Sequence, residues 1–162
     1  IGILILLMLV GGGLGSTAGG IKLSRVYLLL RITRENIHKR LSPARDVTAP
    51  HYYRAQGKTP IDNGLASNIV GFISCYLGIY IVGTLLFTLT ADCSLTEAMF
   101  EFASALGTVG LSIGLTGPST GTETLVVEII GMVLGRLEIF IVWIGIYSGV
   151  SVIKQHFQKK LN

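Results

Sequence analysis

From Ile69 to Thr90 the chain runs for 22 residues without a charge, most of them Ile, Leu, Val or aromatic. A helix rises about 1.5 Å per residue, so a run of this length crosses a hydrocarbon layer about 30 Å thick. The segment predicts a transmembrane helix over 65–90, with Asn63, Ser67 or Asn68 capping its start and Tyr76 and Tyr80 as packing residues. Composition agrees: half of the 162 residues are hydrophobic and 14% are charged, against about a quarter charged in ordinary soluble domains. The chain opens Ile1-Gly2-Ile3-Leu4, with no initiator Met, basic n-region or small-residue cleavage site. This apolar start reads as a cut through a longer protein and not as a signal peptide.

Charge placement gives a topology. Nine basic residues lie between Lys22 and Lys58, none between Thr59 and Gly135, and after Arg136 only Lys154, Lys159 and Lys160 in the tail. Lys and Arg clustered beside apolar segments mark the cytoplasmic side, so the basic linker 35–64 and the tail 154–162 are expected inside. The stretch 91–122 and its edge carry Asp92, Glu97, Glu101 and Glu123 with no basic partner. It is expected to face outward, where its field attracts cations. The net charge of +4 therefore reads as membrane flanking, with the lipid bilayer as partner and no nucleic acid.

Two further apolar segments flank the first. In 1–34 the run Gly11-Gly12-Gly13-Leu14-Gly15-Ser16-Thr17-Ala18-Gly19-Gly20 places six glycines in ten positions. At roughly 1 kcal/mol per Gly relative to Ala, a continuous helix is disfavoured there, and the helix is expected to break. Non-helical backbone at membrane depth survives only where protein buries it or a wet cavity hydrates it. Tight helix packing through small residues accounts for the run less well, because these glycines occupy every face. The segment 123–153 is long and apolar but holds Glu128, Arg136 and Glu138. Ionisable groups at such depth face a cavity or one another, so Arg136 is a functional candidate, with an ion pair to a carboxylate as the structural alternative.

Between the spans, Ser94-Leu95-Thr96-Glu97 forms a capping box that opens a short helix over 94–106, too short to cross and so expected to enter the membrane and return. Its carbonyl end points at Gly107-Thr108-Val109-Gly110-Leu111-Ser112, where the helix dipole favours a cation. A dehydrated potassium ion needs oxygen ligands, which a selectivity filter supplies as backbone carbonyls. The candidate ligands are the carbonyls of Thr108, Val109 and Gly110, with Thr108 and Val109 side chains turned outward against neighbouring helices.

The order of span, short helix, glycine loop and span resembles the repeat of the Trk/Ktr/HKT superfamily of potassium transporters, and most specifically the bacterial Trk/Ktr membrane subunit. Three stretches carry the resemblance: Gly15 to Lys22, Ala105 to Ser112, and Gly135-Arg136-Leu137-Glu138-Ile139-Phe140. Their order is that of the end of the third repeat followed by the fourth. The resemblance implies an all-α integral membrane fold: a helix–pore-loop–helix repeat of a potassium-channel-like transporter, preceded by a broken transmembrane helix. It implies that the pore helix is 94–106 and the filter loop 107–112, with Gly107, Thr108, Val109, Gly110 and Leu111 as filter residues. Gly11, Gly12, Gly13, Gly15, Ser16, Thr17, Gly19 and Gly20 would form an intramembrane gating loop, and Arg136 a charge that holds the gate. The family's essential filter glycine falls on Gly107 or Gly110, the pattern favouring Gly110. Leu111 stands where a potassium channel has tyrosine. Potassium is then a substrate and no cofactor is implied. Also implied are a symporter or channel in the cytoplasmic membrane, a homodimeric subunit and a cytosolic nucleotide-binding regulatory subunit of the RCK type, for which Arg31 to Lys58 offers a docking segment.

Other functions are less well supported by the residues. Gly13-Leu14-Gly15-Ser16-Thr17-Ala18 satisfies a dinucleotide fingerprint, with Glu35 about 20 residues on. Gly15 to Lys22 nearly forms a phosphate loop, but Ile21 and Leu23 stand where that motif needs Lys and Ser or Thr. Neither explains the uncharged run. His38, His51 and His156 are isolated, and no Ser/His/Asp set is apparent, so no enzyme is expected. Cys75 and Cys93 have no metal-ligand spacing and read as a buried thiol and an incidental one. A non-conducting membrane scaffold is the remaining alternative.

Overall fold

The structure, a computed structural model, describes residues 1–13, 15–41, 51–54, 57–60, 63–118 and 120–136. Residues 42–50 of the basic linker, 137–153 of the third apolar segment with Glu138, and the tail 154–162 with His156 lie outside the described residues.

The described residues are mostly helical. In chain order they form α1 (Gly2–Leu9), α2 (Leu23–Leu41), a β-hairpin of β1 (His51–Arg54) and β2 (Gly57–Pro60), then α3 (Asn63–Ala91), α4 (Leu95–Leu106) and α5 (Thr122–Arg136). The hairpin is antiparallel, pairing His51 with Pro60 and Arg54 with Gly57. Its Tyr and Thr residues favour extended backbone, and Gly57, at φ +119°, adopts at the turn an angle open to glycine.

Among the described residues, α3 is the one helix both long and apolar enough to cross a membrane. Its 29 residues extend about 43 Å at about 1.5 Å each. Ser67 and Asn68 fall inside the helix and do not cap it. Thr88 and Thr90 return their hydroxyls to the carbonyls of Thr84 and Leu86, the usual way a hydroxyl is satisfied in apolar surroundings. The helix stops at Asp92, whose φ of 44° is left-handed, a common helix-ending conformation.

Two residues later, Ser94 caps α4. Its backbone N–H donates to Glu97 Oε2 at 3.0 Å, and its Oγ accepts from the Glu97 N–H at 3.4 Å. The capping box read from the sequence is therefore formed. With 12 residues, α4 reaches about 18 Å, well short of a bilayer core. It packs among α1, α3 and α5, and from Phe100 to Leu106 every residue is buried.

The packing centres on Phe102, 2% exposed. A Cβ added at Gly83 of α3 would run into the Phe102 ring, and one at Gly131 of α5 would lie 2.9 Å from its Cε2. Two glycines on facing helices thus make the slot for one aromatic ring. Tyr80 stacks on the same ring at 6.4 Å and donates its hydroxyl to the Met99 carbonyl at 3.1 Å. Tyr76 stacks on Phe72 at 6.3 Å, so both tyrosines are packing residues. The outer faces of α3 and α5 are apolar, with Ile81, Val82, Leu85, Ile129, Ile130 and Val133 exposed. Apolar faces this continuous suit lipid or further protein better than water. Cys75 is on this outer side and exposed, not buried as its apolar context suggested.

Candidate ion-binding loop

Helix α1 ends at Leu9 and helix resumes at Leu23. The glycine-rich segment between them is a closed loop. Gly11 N–H donates to the Ile21 carbonyl at 2.8 Å, Ile21 N–H to Leu9 at 2.9 Å, and Leu23 N–H to Gly12 at 3.3 Å. Lys22 draws the tip back, its Nζ donating to the carbonyls of Ser16 at 2.6 Å and Ala18 at 2.8 Å. The glycines divide into two kinds. A Cβ on Gly11 or Gly20 would collide with the opposite strand of the loop, and one on Gly19 would sit 2.9 Å from Gly107 O, whereas Gly13 and Gly15 face open space. Close approach of loop backbone to loop backbone, not a helix crossing, thus accounts for Gly11, Gly19 and Gly20.

The second loop follows α4. Gly107 keeps helical angles and its N–H returns to Ala103 at 2.8 Å. The chain then turns through Thr108 at φ 52° and Gly110 at φ 83°. A β-branched residue in the left-handed region costs about 1–2 kcal/mol, and such strain persists only where surrounding bonds over-determine it. They do so here. Thr108 N–H donates to Ala105 O at 3.1 Å, Val109 N–H to Ser104 O at 2.9 Å, and Leu111 N–H to Ser104 Oγ at 2.8 Å.

These bonds orient the carbonyls. The described peptide bonds are not cis, and in a planar trans unit the N–H of one residue and the C=O before it point in opposite directions. Val109 N–H aims at α4, so the Thr108 carbonyl aims away from it. Leu111 N–H aims at α4, so the Gly110 carbonyl does the same. The same residues line a cavity of about 420 Å³, together with Ser112, Glu101 and Glu128. Gly110 has open space where a Cβ would stand, while at Gly107 a Cβ would lie 2.5 Å from Met8 O. Of the two candidate glycines, one is held by packing and the other by its backbone angle. Val109 is 45% exposed and Leu111 51%, so among the described residues no helix covers the Val109 side chain.

Thr108 joins the loops, its Oγ1 accepting the Gly19 N–H at 2.9 Å across 89 positions of sequence. Arg136, the last residue of α5, is exposed. It lines a cavity of about 320 Å³ with Thr17, Gly19, Lys22 and Arg25, so three cationic side chains surround the glycine-rich loop. Arg25 also lies over the Phe72 ring at 3.8 Å, seating the start of α2 on α3.

Two of the carboxylates are buried. Glu101 is 3% exposed. Its Oε1 accepts from Ser112 Oγ at 2.6 Å, Ile113 N–H at 2.9 Å and Leu115 N–H at 3.3 Å. The alternative of an Arg136 ion pair does not hold for Glu128, which is buried and accepts from Thr116 Oγ1 at 2.5 Å. Arg136 is eight positions further along α5, about 12 Å at about 1.5 Å per residue. Neither Glu101 nor the Thr108–Gly19 bond was identified from the sequence. The signal for Glu101 was its spacing from Ala98 and Ala105, which puts it on the buried face of α4.

The dinucleotide reading fails on context. That fingerprint needs a strand before its first glycine, and here helix α1 precedes Gly13, while the near-phosphate-loop Lys22 is engaged by carbonyls of its own loop.

The family model for the TrkH cation transport proteins matches residues 1–147. The chain belongs to this family. Among its curated relatives, the Ktr system potassium uptake protein B of Bacillus subtilis is 32% identical over 82% of the chain. The Trk system potassium uptake protein TrkH of Halomonas elongata is 29% identical over 82% of it, and an uncharacterized cation transporter of Methanocaldococcus jannaschii is 28% identical over 85%. The chain spans 27% of the length of the first two and 28% of the third. Membership in a family of membrane cation transporters agrees with the apolar outer faces of α3 and α5.

Proposed function

We propose that the chain contributes one of four filter segments, residues 107–112, and an intramembrane gate, residues 11–20, to a potassium uptake pore in the cytoplasmic membrane. The observation that carries this reading is the direction of the loop amides. The N–H groups of Val109 and Leu111 are taken up by Ser104, which leaves the Thr108 and Gly110 carbonyls aimed away from α4. Backbone carbonyls presented in this way are the ligands a dehydrated potassium ion requires. Val109 completes the candidate ligand set. The C-terminal end of α4 lies behind the loop, so its dipole favours the cation.

Ions would arrive at an outer mouth made acidic by Asp92, Glu97 and Glu123, and leave past the 11–20 loop. Below the filter, Arg136, Lys22 and Arg25 raise an electrostatic barrier to a cation. Lys22 already holds the Ser16 and Ala18 carbonyls, and Arg136, lining the same cavity, would hold the gate by donating to further loop carbonyls that the helix break has freed. Inward flux follows the membrane potential, worth about 2.3 kcal/mol per charge per 100 mV, and no covalent step is needed. The basic linker and the tail lie on the cytoplasmic side. The four-repeat pore, a homodimeric subunit and a cytosolic nucleotide-binding regulatory partner follow from the family resemblance and belong to this proposal.

The test is rubidium uptake by potassium-transport-deficient cells expressing the protein that carries this chain. Uptake that potassium suppresses better than sodium is expected, and replacing Gly110 by Ser should reduce that discrimination. Absence of uptake, or discrimination unchanged in Gly110→Ser, would favour a structural scaffold.

A further inference from the structure

We propose that Glu101 is a positioning residue for ion discrimination: its buried carboxylate fixes the outer end of the filter segment and so sets the carbonyl geometry that a cation meets. The proposal rests on the filter assignment above. One oxygen of Glu101 gathers three donors from three residues in a row of four, Ser112 Oγ at 2.6 Å, Ile113 N–H at 2.9 Å and Leu115 N–H at 3.3 Å. An ionised carboxylate is acceptor-only, so it can take the Ser112 hydroxyl and both amides without presenting a competing donor, and bonds to a charged acceptor are the stronger kind. The side chain is also 3% exposed, and burying a carboxylate is costly unless it is fully hydrogen-bonded. A residue needed only to fill this space could be apolar.

The arrangement reaches the filter directly. Ser112 follows Leu111, whose N–H is bonded to Ser104 Oγ, and Ser104 stands three positions after Glu101 on the same helix. Two side chains of one face of α4 therefore hold the chain from Leu111 to Leu115. Just beyond, Thr116 is fastened from α5 by Glu128 at 2.5 Å, so the segment beside the cavity is tied to both helices that line it. Gly110 sits immediately before this clamp with open space around it. Its carbonyl direction depends on the Leu111 peptide plane, which the clamp fixes. Loss of the charge on Glu101 would loosen that plane while leaving the buried packing of α4 intact.

The test compares Glu101→Gln with wild type in rubidium uptake under potassium and sodium competition, with membrane abundance measured in parallel. Gln keeps the shape and one acceptor oxygen but loses the charge, and charge-assisted bonds are about twice as strong as neutral ones. The expected result is uptake retained with potassium preference over sodium reduced about tenfold, the factor that about 1.4 kcal/mol makes in an equilibrium. If Glu101→Gln does not accumulate, Ser112→Ala serves, since at an exposed residue it removes the 2.6 Å bond to Glu101 together with the 2.9 Å bond that the same hydroxyl accepts from Gly114 N–H. It should shift preference in the same direction. Unchanged preference in the variant that accumulates, beside altered preference in Gly110→Ser, overturns the role of Glu101 and leaves the filter assignment standing. Unchanged preference in both that variant and Gly110→Ser overturns the two together.

Discussion

Replacing Thr108 by Val keeps the side-chain shape and removes the hydroxyl that accepts the Gly19 N–H at 2.9 Å. Gly19 is buried, so its N–H is left without a partner. Stranding a buried donor costs about 1–3 kcal/mol. If the 11–20 loop has a second, detached arrangement in which that N–H meets water, the substitution shifts the balance toward it by about 5- to 150-fold, the factor that 1–3 kcal/mol carries. Hydrogen exchange read by mass spectrometry on a peptide covering 15–22 should therefore speed up in Thr108→Val. Rubidium flux should rise with it, because the same loop is the proposed gate. Thr108→Ser keeps the hydroxyl and should match wild type in both measurements. Exchange and flux unchanged in Thr108→Val would refute a coupling between the two loops through this bond.

Gly107→Ala should reduce the amount of folded protein, since its Cβ would lie 2.5 Å from Met8 O and 3.0 Å from Ala103 O and overpacking costs about 1–3 kcal/mol or more; the yield of monodisperse protein in detergent checks this. Phe102→Ala should cost about 3–5 kcal/mol by emptying the slot between Gly83 and Gly131, read as a lowered melting temperature. Hydrogen bonds from the Ser94 side chain, and then from its backbone, hold the Glu97 carboxyl below its ordinary value, which is about 4.3. The folded value is the lower one, so the capping box contributes fully above the ordinary value and its contribution disappears as pH falls through the lowered one. Protection of the first-turn amides of α4 should fall over that acidic window, and Glu97→Gln should remove the dependence.

What was legible in the sequence was what is local. The uncharged run from Ile69 to Thr90 marks most of α3 and its apolar character, and the six glycines from Gly11 to Gly20 mark where helix stops. Ser94 and Glu97 announce a helix start because their bonds reach three residues. The hairpin at 51–60 had a local signal in Tyr52, Tyr53 and Gly57, outweighed by the prolines around it. The remainder depends on partners far apart in the chain. Nothing near Phe102 says that Gly83 and Gly131 will face it, and nothing near Gly19 says that its N–H will find Thr108. Glu101 was illegible for another reason: its donors come from the loop 112–115, which has no regular pattern.

The central claim is that the carbonyls around Gly110 select the ion, and the potassium-over-sodium permeability ratio of the purified protein in liposomes tests it most directly. Gly110→Ser adds a side chain at φ 83°, where among the described residues nothing beyond the chain neighbours lies within 4 Å of the added Cβ but where any residue other than glycine is strained. The protein should therefore still fold and conduct, with a permeability ratio well below that of wild type. A ratio equal to wild type in a folded, conducting Gly110→Ser protein would contradict the account.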